Sequence, residues 1–373
     1  MNTTKKKFLF LYLKTGGGHL APARSIAEYF EKYKSDEVET VLYDGFESSL
    51  KIAKLIVVDG YRILQSKAIW LYELIYAIHK IKLVSVISSW LVSMFVVRQL
   101  EKKIEKEKPD KIIIFHFFMI EPTYHILRQK KLTIPVITVV TDPFTAHPLW
   151  LLNKKQNFIL FSEKLKNKCV RNGIDPSNIK VLPFPLQERF SISPTSEHIK
   201  DYKRELGFQS EKVLLILGGG DGIPKGISIL KSLCKQPINY KIVFVCGNNK
   251  ELYTNVIRLK ERNNYSFLKV FGFTNTISEL INISSAVITK CGASTVMEIL
   301  ISNKIPIVNS YIWEQEKGNV EFLVENKLGI YEKKIAKLPT LVEQIFSNDN
   351  YLRNKSTVKI ENGTGKIADY LLQ

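Results

Sequence analysis

Residues 284–301 read Ser-Ser-Ala-Val-Ile-Thr-Lys-Cys-Gly-Ala-Ser-Thr-Val-Met-Glu-Ile-Leu-Ile. Ala286–Thr289 has the short apolar run of a buried strand. Cys291–Ser294 is a turn of small residues. From Thr295 the apolar residues Val296, Ile299 and Leu300 recur at helical spacing. A strand, a tight turn and a helix N-terminus together make an anion seat, because free backbone N–H groups and the helix dipole converge there. Glu298, about one turn in, is placed to accept hydrogen bonds from sugar hydroxyls beside the anion. A seat for a sugar nucleotide fits this stretch, and so does the ordinary strand-to-helix turn of any α/β domain. Residues outside the stretch have to separate the two.

Downstream and upstream of it, strand and helix alternate. Val213–Leu217 runs into Gly218-Gly219-Gly220-Asp221-Gly222 and a helix from about Pro224. Ile242–Cys246 runs into Gly247-Asn248-Asn249 and another helix. Leu268–Phe271, Ser278–Ile283, Ile305–Val308 and a helix from about Gln315 continue the series. That alternation specifies a parallel sheet wrapped by helices. The first half repeats the theme less regularly. Phe8–Leu13 is a strand leading to Thr15-Gly16-Gly17-Gly18-His19, with a helix from about Leu20 to Lys32. Ile112–Phe115 is a second strand, ending at His116, with Glu121 shortly after. Pro135–Val140 is a third, delivering Thr141, Asp142, His147, Pro148 and Trp150. Phe158–Phe161 is a weaker fourth. The Pro-rich stretch from Leu182 to about Pro194 reads as a linker. Two α/β domains are therefore expected, 1–186 and 187–354. Residues 355–373 are expected to carry a last helix near Lys366–Leu372 that packs back on the first domain.

The chain has 373 residues, 45% hydrophobic and 24% charged, with a net charge of +18. It can bury two ordinary cores. The basic excess lies mainly in the first 186 residues, which suits an anionic membrane surface, nucleic acid or a phosphorylated substrate. The basic residues are scattered and no nucleic-acid signature appears, so nucleic acid is not expected. The four cysteines, Cys169, Cys234, Cys246 and Cys291, show neither CxxC nor metal-ligand spacing, the pattern of free thiols in a reducing compartment. Lys5–Lys7 is followed by only six apolar residues before Lys14, too few for a signal peptide.

Residues 60–98 stand apart. Tyr61, Trp70, Tyr72 and Tyr76 are interleaved with Arg62, Lys67, Lys80 and Lys82, and Leu83–Val97 has no charge. That uncharged run is shorter than the roughly 20 residues needed to cross a bilayer. Aromatic and basic flanks around it, Trp90 within it, suit insertion at a membrane interface, with Trp70, Tyr72, Tyr76 and Trp90 as anchors. A fully buried helix is the competing reading.

His19 is held at the carboxyl end of a strand and the mouth of a helix. A neutral imidazole there can take a proton from an attacking hydroxyl, and a packing or capping histidine has the same address. Asp142 and His147 lie beyond the end of another strand, where α/β sheets hold their ligands, although Asp-Pro and His-Pro are also turn formers.

Six motifs occur in order: Gly16-Gly17-Gly18-His19; Thr141-Asp142…His147-Pro148-x-Trp150; Gly218-Gly219-Gly220-Asp221-Gly222; Val245-Cys246-Gly247-x-Asn249; Lys290-x-Gly292-x-x-Thr295-x-x-Glu298; and Gln315-Glu316-x-x-Asn319. In this register, from about residue 8 to 330, the chain resembles the monogalactosyldiacylglycerol synthase and processive diacylglycerol glucosyltransferase family. More distantly it resembles the lipid-linked N-acetylglucosaminyltransferase of peptidoglycan synthesis. The resemblance implies a GT-B fold, two Rossmann-like parallel-sheet domains facing across a cleft. It implies an inverting glycosyltransferase that moves glucose or galactose from UDP-glucose or UDP-galactose to a membrane lipid, most simply diacylglycerol. A polyprenyl-linked or other lipid alcohol as acceptor, and a nucleotide-sugar epimerase on the same fold, are the alternatives.

By the same resemblance, His19 is the catalytic base, with Asp142 as its competitor. Gly219, Gly220, Asp221, Gly247 and Lys290 line the donor side. Gly292, Ala293, Ser294 and Thr295 form the diphosphate turn. Glu298 holds the ribose. Gln315 and Glu316 read the sugar hydroxyls, and Asn319 binds the donor. Gly17, Gly18, His147 and Trp150 meet the acceptor. No Asp-x-Asp occurs, so the sequence requires no metal at the diphosphate and implies no bound cofactor. A peripheral enzyme on the cytoplasmic face of the cell membrane is the expected setting. Three positions depart from the family pattern. The diphosphate turn reads Gly-Ala-Ser where relatives carry further glycines. Glu314 stands where relatives often have Gly. Pro185-Leu186-Gln187 lacks an arginine often found there.

Overall fold

The computed structural model describes residues 5–14, 17–47, 60, 69–209, 211–348, 351, 356 and 358–373. It divides into two compact units. The first comprises 1–188, 313–315 and 362–373, and the second comprises 189–312 and 316–361.

The first unit is built on a six-stranded sheet in the order β2-β1-β3-β4-β5-β6. Its strands are β1 (Lys6–Tyr12), β2 (Val38–Asp44), β3 (Lys111–Ile114), β4 (Val136–Val139), β5 (Asn157–Leu160) and β6 (Ile179–Val181). All its pairings are parallel. Parallel strands need both faces covered, and the alternation in β1 shows how this is done. Leu9 and Leu11 enter one core with Ile112, Ile114, Phe158 and Leu160. Phe8 and Phe10 point the other way, onto Phe30 of helix α1 (Gly17–Tyr33) at 5.6 and 6.5 Å. Helices α2 (Ile69–Ile78) and α3 (Lys82–Glu107) lie between β2 and β3 in sequence.

The second unit repeats the plan. Its sheet runs β12-β11-β10-β7-β8-β9, also all parallel. The strands are β7 (Val213–Leu217), β8 (Lys241–Val245), β9 (Leu268–Phe271), β10 (Ala286–Lys290), β11 (Ile305–Ser310) and β12 (Ile330–Tyr331). Leu214, Ile216, Ile242, Phe244 and Ile288 fill one core. Val213, Leu215, Leu217, Val243 and Val287 fill the other. Helices α4 (Ala293–Ile301) and α5 (Lys317–Glu325) follow β10 and β11. The last helix, α6 (Thr364–Leu372), belongs to the first unit and packs on α1. Thr364 Oγ1 donates to the Leu186 carbonyl at 2.8 Å.

Strand order reverses at one place in each sheet, between β1 and β3 and between β7 and β10. Helices leaving the two neighbouring strands cover opposite faces there, so their connecting loops part and leave a crevice at the carboxyl ends. His19 and His116 follow β1 and β3. The Gly218–Gly222 loop and the Cys291–Ser294 turn follow β7 and β10.

Helix α3 reverses the usual amphipathic arrangement. Ser85, Ser89 and Ser93 are buried, and the stripe continues through Val96, Leu100 and Ile104. It packs on helix Ile120–Gln129 and on the turns Phe117–Met119 and Pro148–Leu151. Leu83, Val86, Ile87, Trp90, Leu91, Met94 and Phe95 are exposed. On α2, Trp70, Leu74 and Ile78 make one exposed face at i, i+4, i+8 spacing. By length and composition α3 could cross a membrane. Its buried stripe, however, runs its whole length against the protein. Tyr76 was expected among the membrane anchors, and the structure corrects this. It is only 5% exposed and meets the His147 ring edge-on at 4.6 Å. Trp70 and Trp90 are 69% and 57% exposed. The Tyr72 side chain, Thr15, Gly16 and residues 61–68 lie outside the described residues.

Candidate active site

In the first unit, Gly17, Gly18 and His19 form the opening turn of α1 instead of a loop ahead of it. Open space surrounds Gly17 and Gly18 where a Cβ would stand. The His19 ring turns inward and is nearly buried. Its Nδ1 lies 2.9 Å from the Phe115 carbonyl oxygen and 2.7 Å from Thr141 Oγ1. A carbonyl can only accept, so Nδ1 carries the proton and Nε2 keeps its lone pair. Burial lowers the His19 pKa to about 4, partly offset by that hydrogen bond. The ring is therefore a neutral base at any physiological pH.

Its neighbours are aromatic. The His116 ring lies 4.3 Å away, with Nδ1 accepting from the Phe118 N–H at 3.2 Å. Burial, and then the adjacent His19 and His147, hold His116 well below the usual histidine range. His147 Nδ1 accepts from the Leu149 N–H at 3.2 Å and caps the Pro148–Leu151 turn. Burial first, then His79 and Lys168, lowers its pKa to about 3. Capping and packing thus account for Nδ1 of His147.

Asp142 is nearly buried, and Trp150 Nε1 donates to its Oδ2 at 3.0 Å. Gln315 Nε2 lies 3.4 Å from Oδ1, and Thr145 Oγ1 donates to the Gln315 carbonyl at 2.6 Å. Trp150 was expected to touch the acceptor. It is 0% exposed, so it cannot, and its part is to hold Asp142. Both carboxylate oxygens of Asp142 are thus engaged. Glu314 adopts φ +54°, a left-handed conformation that favours glycine. Its carboxylate pairs with Lys80 at 2.6 Å.

In the second unit, Gly219, Gly222 and Gly247 have φ of +73°, +75° and +61°. A Cβ on Gly247 would stand 2.4 Å from the Gly220 carbonyl oxygen, and the Asn248 N–H donates to that oxygen at 2.8 Å. The two glycine loops are thus stitched together, with Asp221 exposed at the tip. Helix α4 begins after Gly292 with no side-chain cap. The Val296 N–H donates to the Gly292 carbonyl at 3.0 Å. The N–H groups of Ala293, Ser294 and Thr295 precede that bond and are the ones a bound anion would take. Ser294 Oγ is buried without a partner among the described residues, a further donor for such an anion. Gly219 faces Thr295 Oγ1, 3.8 Å from where its Cβ would be.

Around this turn, Lys290 Nζ lies 4.0 Å from Glu316 Oε1, and the Ile312 N–H donates to Glu316 Oε2 at 2.7 Å. Asn319 was expected to read the donor. It is buried and donates from Nδ2 to the Cys291 carbonyl at 2.9 Å, so it supports the turn from beneath. Glu298 is half-buried, and burial raises its carboxyl to about 7 against the opposing charge of Arg189. Among the described residues no group of three His, Cys, Asp or Glu is arranged to hold a metal.

Sequence reasoning passed over Phe117, Phe118 and Arg189. The first two follow His116 at the end of β3, and that address was the available signal. Arg189 lies two residues beyond Gln187, just past the stretch noted for lacking an arginine.

Residues 19–186 match the model of the monogalactosyldiacylglycerol synthase family, and residues 213–371 match the glycosyltransferase family 28 C-terminal domain. The monogalactosyldiacylglycerol synthase of Spinacia oleracea is 27% identical over 370 residues, which is 95% of this chain and 69% of the plant protein. For the similar protein of Nicotiana tabacum the chain spans 64% of the relative's length. The processive diacylglycerol β-glucosyltransferase of Bacillus cereus is 26% identical, over 98% of this chain and 93% of that one. Among solved structures, HepE of Anabaena in complex with UDP-glucose superposes with a TM-score of 0.57 at 12% identity. The match covers 98% of this chain and 94% of that one. The fold is of the GT-B type.

Proposed function

The chain belongs to the monogalactosyldiacylglycerol synthase family of glycosyltransferases, and from that premise we propose that it transfers a hexose from a UDP-sugar to diacylglycerol, with inversion at the anomeric carbon. The observation that carries the reading is the state of His19. The Phe115 carbonyl commits the proton to Nδ1, burial keeps the ring neutral, and the Nε2 lone pair is left for the acceptor hydroxyl. His19 takes that proton as the oxygen attacks C1, and UDP departs with the bonding pair. Such general-base assistance is worth about 10²–10⁴-fold. Charge developing on the diphosphate meets the N–H groups of Ala293, Ser294 and Thr295 and the Ser294 hydroxyl. Glu298 accepts from the ribose, and Gln315 and Glu316 read the sugar. Asp142 keeps its ties to Trp150 and Gln315 and orients.

The first unit is the acceptor and membrane part in this reading, and the second is the donor part. The exposed apolar faces of α2 and α3, flanked by Lys80, Lys82 and Arg98, support docking at an anionic membrane surface. The serine stripe of α3 packed on the protein supports lying in the interface instead of spanning. Labelled UDP-glucose and UDP-galactose, each incubated with the protein on vesicles of diacylglycerol and anionic lipid, test the reading. Labelled glycolipid that is absent with His19→Ala supports it and names the sugar. UDP-sugar binding with no product on diacylglycerol rejects the acceptor, and no binding at all rejects the donor.

A further inference from the structure

Phe117 and Phe118 leave the carboxyl end of β3 at the switch point of the first sheet, directly after His116. Both keep part of their surface open, whereas Met119 and Ile120 behind them are buried. Phe117 stacks on His147 with centroids 5.1 Å apart and planes at 17°. Phe118 stacks on His116 at 5.5 Å and 24°, and His116 is in turn 4.3 Å from the His19 ring. The base thus sits at the end of a run of aromatic rings in which His116 and His147 are buried and Phe117 and Phe118 are partly open. The run also leads outward. Tyr76 of α2 meets His147 edge-on, and the outer face of the same helix carries the exposed Trp70 and Leu74.

Small-molecule sites are mostly apolar, with a few polar atoms that fix orientation. Here the polar atom is the His19 lone pair, and the two phenylalanines are linked to that ring through His116. We propose that Phe117 and Phe118 form an aromatic wall that seats the glycerol-proximal acyl chains of the lipid acceptor, holding its free hydroxyl toward His19 and selecting a lipid alcohol over a water-soluble one. This rests on the diacylglycerol reading above. Phe118 is the residue to change, because Phe117 is also wedged against Trp150 at 5.5 Å.

The test uses the full chain on mixed vesicles, with initial rates measured against the surface mole fraction of diacylglycerol and, separately, against UDP-sugar. Phe118→Ala is expected to raise the acceptor KM about tenfold or more, the scale of losing one partly open ring from an apolar contact. The donor KM should stay within about twofold. Phe118→Leu should restore most of the acceptor KM. If Phe118→Ala does not fold, Phe118→Gln against Phe118→Leu reads the same contrast at matched size. An unchanged acceptor KM, or equal rises in both KM values, overturns the wall and makes Phe118 a packing residue. A wild-type protein that makes no glycolipid from diacylglycerol overturns the acceptor reading itself and the wall with it.

Discussion

Glu298→Gln should make the donor-free protein more stable while weakening its hold on the donor. Burial raises the Glu298 carboxyl from 4.5 to about 7 in the folded chain, Arg189 notwithstanding. The unfolded chain releases that proton near its ordinary pKa, so between about pH 4.5 and 7 only the folded chain keeps it. Wild-type stability therefore falls as pH rises through this window, and the full cost is present above pH 7. The shift corresponds to about 3 kcal/mol, and partial exposure reduces this to about 2 kcal/mol. Glutamine has nearly the same shape and no charge. In urea, with an m-value of roughly 2 kcal/mol/M, the transition of the second unit should move up by about 1 M at pH 8 and hardly at all at pH 4.5. Calorimetric titration with UDP at pH 8 should show the opposite sign. Losing a charge-assisted hydrogen bond from the ribose costs about 1.5–3 kcal/mol, or about 10–100-fold in Kd. A variant no more stable than wild type at pH 8 would refute the buried-charge argument. An unchanged UDP affinity would refute the ribose role.

Four further outcomes are expected. His19→Ala should lower kcat about 10²–10⁴-fold and leave UDP affinity unchanged. With donor saturating, wild-type kcat should hold steady down the acid side until about pH 4, where Nε2 takes a proton, and a limb near 6.5 would count against a buried neutral base. Gly247→Ala places a methyl 2.4 Å from the Gly220 carbonyl in a backbone held at φ +61°, so UDP binding should be lost and the second unit destabilised by about 1–3 kcal/mol. Trp90→Asp should reduce sedimentation with anionic vesicles about tenfold or more, with no change in melting temperature, because Trp90 is exposed on the outer face of α3. Unchanged vesicle binding would place the docking surface elsewhere.

The motifs legible in the sequence were those whose physics is local. A strand running into small residues and then a helical repeat needs no distant partner to be an anion seat, and Cys291–Thr295 reads that way before any folding. Gly219, Gly222 and Gly247 are glycines because their own φ angles demand it. The alternation of strands with helices announced two parallel sheets for the same reason. Shorter or less apolar elements, such as β2 (Val38–Asp44), β6 and β12, escaped notice because their burial comes from neighbours.

Tertiary structure alone decided which way side chains face and what they meet. Residues 60–98 announced an apolar, aromatic stretch for a membrane interface or a buried helix, but the partner surface selected the serine face of α3 for burial and turned Leu83 and Trp90 outward. It drew Tyr76 inward onto His147. Trp150, read from its motif as an acceptor contact, is enclosed by the core and reaches Asp142 through its N–H. Asn319, expected to meet the donor, ended beneath the Cys291 turn. The tautomer of His19 depends on a carbonyl at Phe115, brought to it by the pairing of β1 with β3. Composition and spacing along the chain carry backbone requirements, whereas orientation, desolvation and proton position are properties of surroundings that exist only once distant segments pack.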